Sequence, residues 1–490
     1  MTILLLLPIL APGAAAALAA ALGWRRLTAS VTVLAALTIL ICGAVLGLRV
    51  NDGPRLGVGH LLRSDALSVT MLLVIGSVGT LATCASIGYV HTELAHGHTT
   101  RGGAHLYGVL VPAFLSAMSL AVLANNLGVT WVAIEATTVV TAFLVGHRHT
   151  RAALEATWKY VVICSVGIAL AFLGTVLLNF ASVHSGASSG GTALDIDVLL
   201  AHAADLDPAV TRLAAGLLLL GYGAKAGLVP FHTWLADAHS QAPAPVSALM
   251  SGVLLSVAFS ALLRVKSIID LALGTGFLRA GLLVVGLLTL LVAASLLFVQ
   301  TDFKRMLAYS SMENMGLIAI AAAAGTELAI AALLLHVLAH GIGKAVLFLA
   351  AGQLQMTHDS TAIDDVRGVL ARSRVIGTAF IVGVAILLGL PPFAMFASEL
   401  SIARGLADAH LGWALGVALL LIVIAFAALV RNAGRMLLGP AQTGAPVIAV
   451  PGTVTAALLV GMSASLALGV TAGPLTHLFR TAAALLGAGP

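Results

Sequence analysis

Charge is scarce in this sequence: Asp, Glu, Lys and Arg together make up 9% of 490 residues, and aromatic residues only 5%. Soluble domains carry about a quarter of their residues as charges, so a water-soluble surface is excluded. Cysteine is almost absent, and Cys42, Cys84 and Cys164 fall in separate apolar runs. That spacing offers no ligand set for zinc or an iron–sulfur cluster and no disulfide framework. No dinucleotide fingerprint or Walker motif occurs. The chain is therefore expected to bind no cofactor and no metal and to have no catalytic residue of its own.

What is present is apolar: 60% of residues are hydrophobic, and the mean hydropathy is +1.09. At about 20 residues per transmembrane helix, the apolar runs predict about fourteen spans, with cores from 2–22 and 28–48 through to 411–430 and 450–472. The expected fold class is an all-α, polytopic integral membrane protein forming one membrane domain over 1–490. The first apolar run lacks a charged leader, since Trp24, Arg25 and Arg26 follow it, so a retained helix is expected. Basic residues are in excess beside loops that follow odd-numbered spans, which places both termini outside the cytoplasm of a prokaryotic plasma membrane. The net charge of +5 comes from these juxtamembrane residues and meets lipid headgroups, not nucleic acid. Residues 182–208, rich in Gly and Ser and then Asp, read as one long external loop.

Against this background the intramembrane charges stand out. Lys225 lies in GYGAKAGLVPFHTWLADAHSQAPAPVSALM, Gly221 to Met250, where an apolar span is followed by Pro230, Pro243 and Pro245 and by His232 and His239. A charge at the bilayer centre costs about 2.5–3.5 kcal/mol even on permissive scales, and broken helices are tolerated only where protein or a watery cavity covers the backbone. Glu135 sits in the middle of an earlier span. Lys159 opens the next one, where it either joins the buried set or snorkels to the cytoplasmic headgroups. A buried ion pair adds little net stability, so architecture alone does not explain Glu135 and Lys225.

In LLLHVLAHGIGKAVLFLAAG, His336, His340 and Lys344 recur every four residues and share one helix face over about 12 Å. Histidine accepts and donates near neutral pH, which suits a proton relay. A metal site fits less well, because a lysine interrupts the ligand face. Glu399 follows Pro391 and Pro392, which interrupt their span much as Pro243 and Pro245 interrupt the earlier one. Paired broken spans mark inverted-repeat transporters. Two inverted five-helix repeats are expected, over 105–264 and 277–430, each with one proline-broken helix. The segment HTELAHGHTTRGGAH, with His91, Glu93, His96, His98 and His105, reads as a solvated cytoplasmic loop, and Arg63 with Asp65 as an interfacial pair.

These segments resemble the antiporter-like subunits of respiratory complex I and of its relatives, the membrane-bound nickel–iron hydrogenases and the multisubunit cation/proton antiporters. The carriers are AKAGLVPFHTWLADAHSQAPAPVSAL, TDFKRMLAYSSMENMGLI, HVLAHGIGKAVLFLAAG and GLPPFAMFASE, in the family's order and spacing. The resemblance implies that Glu135 pairs with Lys225 and that protons pass Lys344 and Glu399; Lys159 also matches a family lysine. Proton transfer is thus expected to involve Glu135, Lys159, Lys225, His232, His336, His340, Lys344 and Glu399. Two departures matter. Ser256 stands where many complex I subunits carry a lysine, so water, His232 or His239 must bridge the halves, and Ala236 replaces a family proline. The SSMENMG wording is most similar to the smaller antiporter-like subunit of hydrogenase-4 and formate hydrogenlyase type complexes, and the long lateral helix of the largest members is not expected.

The function implied is proton translocation by a membrane subunit of a redox-driven complex, with other membrane subunits, a peripheral redox arm, lipid and protons as partners. The competing readings are a proton-pumping subunit of complex I itself, and a subunit of a gradient-driven cation/proton antiporter or inorganic-carbon transporter.

Overall fold

A backbone in hydrocarbon must satisfy every N–H and C=O internally, which leaves the apolar runs no alternative to the helix. The computed structural model describes residues 2–186, 190–439 and 447–489, and helices dominate them. The first group is α1 (Thr2–Leu22), α2 (Arg26–Gly47), α3 (Ala66–Ala95), α4 (Arg101–Leu123), α5 (Leu127–Val145) and α6 (Arg151–His184). The middle of the chain holds α7 (Ile196–Ala201), α8 (Pro208–Lys225), α9 (Trp234–Gln241), α10 (Ala244–Leu249) and α11 (Leu255–Leu273). Then follow α12 (Gly276–Phe298), α13 (Phe303–Ala324), α14 (Glu327–His358), α15 (Val369–Arg372), α16 (Arg374–Leu387) and α17 (Ala394–Asp408). The last are α18 (Gly412–Leu437), α19 (Gly452–Thr471) and α20 (Gly473–Leu485). One short antiparallel hairpin, β1 (Arg55–Gly57) with β2 (Leu62–Ser64), pairs Leu56 with Arg63 before α3.

Among the described residues 11 helices are long and apolar enough to cross a membrane. The other expected spans fall on α8, α13 and α16, which are helical but shorter or more polar. Layering is steep: the most apolar stretch of Ala244–Leu273 is 100% buried and that of Glu327–His358 94%, against 39% for Gly412–Leu437 and 28% for Gly452–Thr471. The helices that carry the expected relay therefore run through the middle, and α14 packs against α3, α13, α16 and α17.

Three local expectations change. Pro243 and Pro245 do not interrupt a span: Pro243 is the N-cap of α10 and Pro245 sits in its first turn. Proline's missing N–H is harmless there, since first-turn N–H groups have no helical partner anyway. One helix break lies earlier, between the end of α8 at Lys225 and the start of α9 at Trp234, and another lies between α16 and α17. The segment 182–208, expected as one long external loop, carries α7, and beside it Asp195 and Asp197 accept hydrogen bonds from Asn126 and Asn125 at 2.7 and 2.9 Å; positions 187–189 lie outside the described residues. The histidine-rich segment, expected as a solvated cytoplasmic loop, is mostly helix, with His91 and Glu93 in the last turns of α3 and His105 in α4.

Between α10 and α11 the chain makes one π-helical turn, Met250–Leu254. It brings Gly252 against Gly341 of α14 so closely that a Cβ on either would lie 2.8 Å from the other's carbonyl oxygen.

Candidate functional site

Lys225 is the last residue of α8 and is 1% exposed. A helix C-terminus is a favourable place for a cation, because the carbonyl ends concentrate negative potential there. The chain turns at once: Gly227 takes φ +78°, and the N–H groups of Ala226 and Leu228 donate to Tyr222 O and Gly223 O at 2.8 and 2.9 Å. Trp234 Nε1 donates to Ala224 O at 3.0 Å, so the freed carbonyls at the break are covered by protein. Lys225 Nζ donates to Thr138 Oγ1 on α5 at 2.8 Å and to Tyr160 OH on α6 at 2.6 Å. It also lies 4.8 Å from the Tyr160 ring centroid, and Thr141 hydrogen-bonds the same phenol.

Glu135 lies one turn before Thr138 on α5, on the side facing the same hydroxyls. It is half-buried, and its Oε2 is enclosed without a hydrogen-bond partner. No ion pair joins it to Lys225 among the described residues; the lysine is held by the two hydroxyls, and the acid stands beside them. Lys159 belongs elsewhere: it is exposed, and bridges Glu155 at 2.6 Å and Asp237 of α9 at 2.9 Å. Arg305 of α13 pairs with the same Asp237. This network ties the second half of the broken segment to α6 and α13. His232 lies in the break, half-buried, with Nδ1 unpartnered; His239 is fully buried in α9 with Nδ1 against Leu235 O at 2.7 Å and Nε2 unpartnered.

On α14, His336, His340 and Lys344 are all 0% exposed. Lys344 Nζ donates to Leu307 O at 2.8 Å and to Ser310 Oγ, both on α13. Asn314, one turn further along α13, donates to Ser310 O and to Glu313 Oε2, each at 2.7 Å. With both amide hydrogens so used, its Oδ1 accepts from His336 Nε2 at 2.8 Å. His336 Nδ1 is 3.0 Å from Ser398 Oγ, the residue before Glu399. A continuous polar thread thus runs from Lys344 through Ser310, Asn314 and His336 to α17. Beside it, His340 stacks on His336 with ring planes at 5° and centroids 6.5 Å apart, and neither of its nitrogens has a partner. A proton chain needs such groups, able to give and take in turn.

Glu399 is half-buried against Gly389, whose φ is +56°. A Cβ at that glycine would overlap the carboxylate, so the break between α16 and α17 is shaped to seat the acid.

Sequence reasoning missed three groups. Glu313, 4% exposed, stands in the quoted SSMENMG segment as an acid in an apolar helix, a signal of the same kind as Glu135. Lys304, 0% exposed, looks like a loop charge beside Arg305, yet its Nζ donates to Ala242 O at 2.8 Å. Glu93, read as part of a solvated loop, is 0% exposed and bridges Arg148 at 2.9 Å and His147 at 3.3 Å, and Arg148 donates to Tyr89 OH. No spacing rule brings positions 93 and 148 together. Arg63 and Asp65 also prove buried: Asp65 caps α3 and takes both Arg63 and Arg264 of α11. Burial alone would raise the Asp65 carboxyl, but the two guanidiniums hold it far below the usual carboxylate range.

Comparison with known proteins points the same way. The family model described as NADH:quinone oxidoreductase/Mrp antiporter, TM, matches residues 124–425. The hydrogenase-4 component F homolog of Methylacidiphilum infernorum (isolate V4) is 38% identical over 343 residues, spanning 70% of this chain and 71% of that relative. Among solved structures, a chain of the membrane-bound sulfane sulfur reductase, an archaeal respiratory membrane complex, matches with TM-score 0.88 at 23% identity over 99% of this chain and 98% of that one. A chain of the Mrp complex from Dietzia sp. DQ12-45-1b matches with TM-score 0.86 at 22% identity, over 99% and 98%. Since residues 124–425 make up more than half of the sequence and enclose Glu135, Lys225, Lys344 and Glu399, the chain belongs to the NADH:quinone oxidoreductase/Mrp antiporter transmembrane family.

Proposed function

We propose that the chain is a proton-translocating membrane subunit of a multisubunit redox complex of hydrogenase type, with electrons handled by its partners. The observation that carries this is the buried polar thread through α13, α14 and α17, because no structural need explains a lysine and two histidines at the centre of an apolar bundle. Protons pass between the Glu135 and Lys225 region and the chain of His336, His340, Lys344 and Glu399, with His232 and His239 in the segment between; Glu313 joins that set. Lys159 acts with Asp237 in fastening α9. The halves 105–264 and 277–430 act as inverted repeats, a reading supported by the break after α8 in one and after α16 in the other. Both termini lie outside the cytoplasm, in a prokaryotic plasma membrane.

Moving one proton against about 150 mV needs roughly 3.5 kcal/mol, so transport must be driven. The test is proton uptake by vesicles holding the whole complex, started by the electron donor. Lys225→Ala and Glu135→Ala each abolish it while the complex still assembles, and Glu135→Gln lowers the protons moved per electron. Transport at the wild-type ratio in all three, or transport by the wild type that a cation gradient drives and electron flow does not, overturns the reading.

A further inference from the structure

A cavity of about 290 Å³ opens where the ends of α11, α12, α13, α14 and α17 meet, large enough for several waters. Its walls include Lys266, Asp270, Ala323, Thr326, Ala409 and Arg279. The position of these residues is informative. Ser256 and Lys266, Glu313 and Ala323, His336 and Thr326, and Glu399 and Ala409 are each ten residues apart along one segment. At 1.5 Å per residue, four polar positions of the bundle centre thus lie about 15 Å from one cavity along four separate helices. That distance is half of the roughly 30 Å hydrocarbon core, so with the relay at mid-membrane the cavity stands at the membrane surface.

The polar wall is built to hold charge. Lys266 and Asp270, one turn apart on α11, pair at 2.5 Å with side chains only 9% and 10% exposed. Asp270 Oδ1 is enclosed and has no hydrogen-bond partner. Arg279 spends Nη2 on Ala409 O at 2.6 Å, which fastens α12 to the end of α17 and leaves Asp270 as the acid of this wall among the described residues. His410, in a left-handed turn at φ 58°, is the remaining titratable lining group among the described residues. An acid with one oxygen on a lysine and one unclaimed, beside a watery space, can take a proton from inside and give it to water.

We propose that this cavity is the outer port of the relay, and that Asp270 is the group that exchanges protons between it and the external water. The proposal rests on the proton-translocating reading above and names where that path meets the aqueous phase. The step is a proton transfer only: the carboxylate gains the proton as a relay group loses it, then returns it to a cavity water.

The experiment uses vesicles of the assembled complex. Asp270→Asn lowers proton transport about a hundredfold, the low end for a positioned proton-transfer group. The neutral pair Lys266→Gln with Asp270→Asn gives the same loss and covers the case in which the single variant fails to assemble. In a background with Cys42, Cys84 and Cys164 replaced by Ala, Ala323→Cys reacts with a membrane-impermeant thiol reagent from the external side alone, and the modification blocks transport. Wild-type transport in the neutral pair, labelling of Ala323→Cys from the cytoplasmic side or from neither, or labelling without effect overturns the port. Lys344→Met, run alongside, separates the two levels: if it transports normally, the relay reading itself falls, and if it does not while the neutral pair does, only the port falls.

Discussion

Replacing Lys344 by Met separates stability from transport. The side chain is fully buried, and its Nζ makes two hydrogen bonds, to Leu307 O and Ser310 Oγ. If charged, each contributes about 1.5–3 kcal/mol. Against this stands a desolvation cost of several kcal/mol for an ammonium taken out of water. Methionine gives back about 1.5–3 kcal/mol of apolar burial at similar volume. It also orphans nothing, since Leu307 O still accepts from Ser310 Oγ at 3.0 Å and Ser311 Oγ at 3.1 Å. The opposing terms bring the expected change in stability to within about 2 kcal/mol of zero. Transport has no such compensation: the polar thread loses its first member, and a positioned proton-transfer group is worth about a hundredfold or more. Thermal denaturation of the purified complex and pH-dye quenching in vesicles read the two quantities separately. A Lys344→Met complex that melts like the wild type and still transports at more than about a tenth of its rate would falsify the relay assignment.

Tyr160→Phe removes one of the two hydroxyls that hold Lys225 Nζ and should slow vesicle proton uptake about tenfold while assembly, followed by native gel, is unchanged. Gly389→Ala places a methyl where the Glu399 carboxylate sits and forces an L-residue into the left-handed region at about 1–2 kcal/mol, so transport falls before the melting temperature falls far. Glu93→Gln leaves the Arg148 guanidinium without its carboxylate and should cost about 3–5 kcal/mol, seen as poor recovery of assembled complex. The Asp65 carboxyl is lowered in the folded state, so its contribution is complete above the ordinary carboxylate pKa of about 3.9 and is lost only as pH falls below it. Melting temperature should therefore show no Asp65-dependent change between about pH 5 and pH 8, whereas Asp65→Asn costs about 3–5 kcal/mol throughout that window.

The sequence made the helices and the fold class legible because hydrocarbon leaves an apolar run of 20 residues one conformation. It also marked Lys225, His336, His340 and Lys344, since a charge or a repeat of four stands out in such a run. It failed where the informative neighbour is distant in the chain. The hydroxyls that hold Lys225 Nζ, Thr138 and Tyr160, read in the sequence as ordinary helix residues. Glu93 reads as a solvated loop residue because histidines and glycine surround it, and only the folded chain brings Arg148 and His147 over it. Proline misleads in a different way: Pro243 and Pro245 look like breaks in the sequence, although the same residue opens a helix as readily as it ends one.

The crossing of Gly252 and Gly341 limits how the molecule can work. Two helices separated by side chains can slide or rotate as rotamers change, but here carbonyl meets α-carbon with nothing to deform. The π turn and the centre of α14, between His340 and Lys344, therefore move as one stiff beam through the bundle. Cycling has to be done by lighter parts around that beam: waters, hydroxyl rotors and the side chains of the thread. By the same logic, one added methyl at position 252 or 341 would pry apart the two most deeply buried helices, so the least tolerant positions include two with no charge at all.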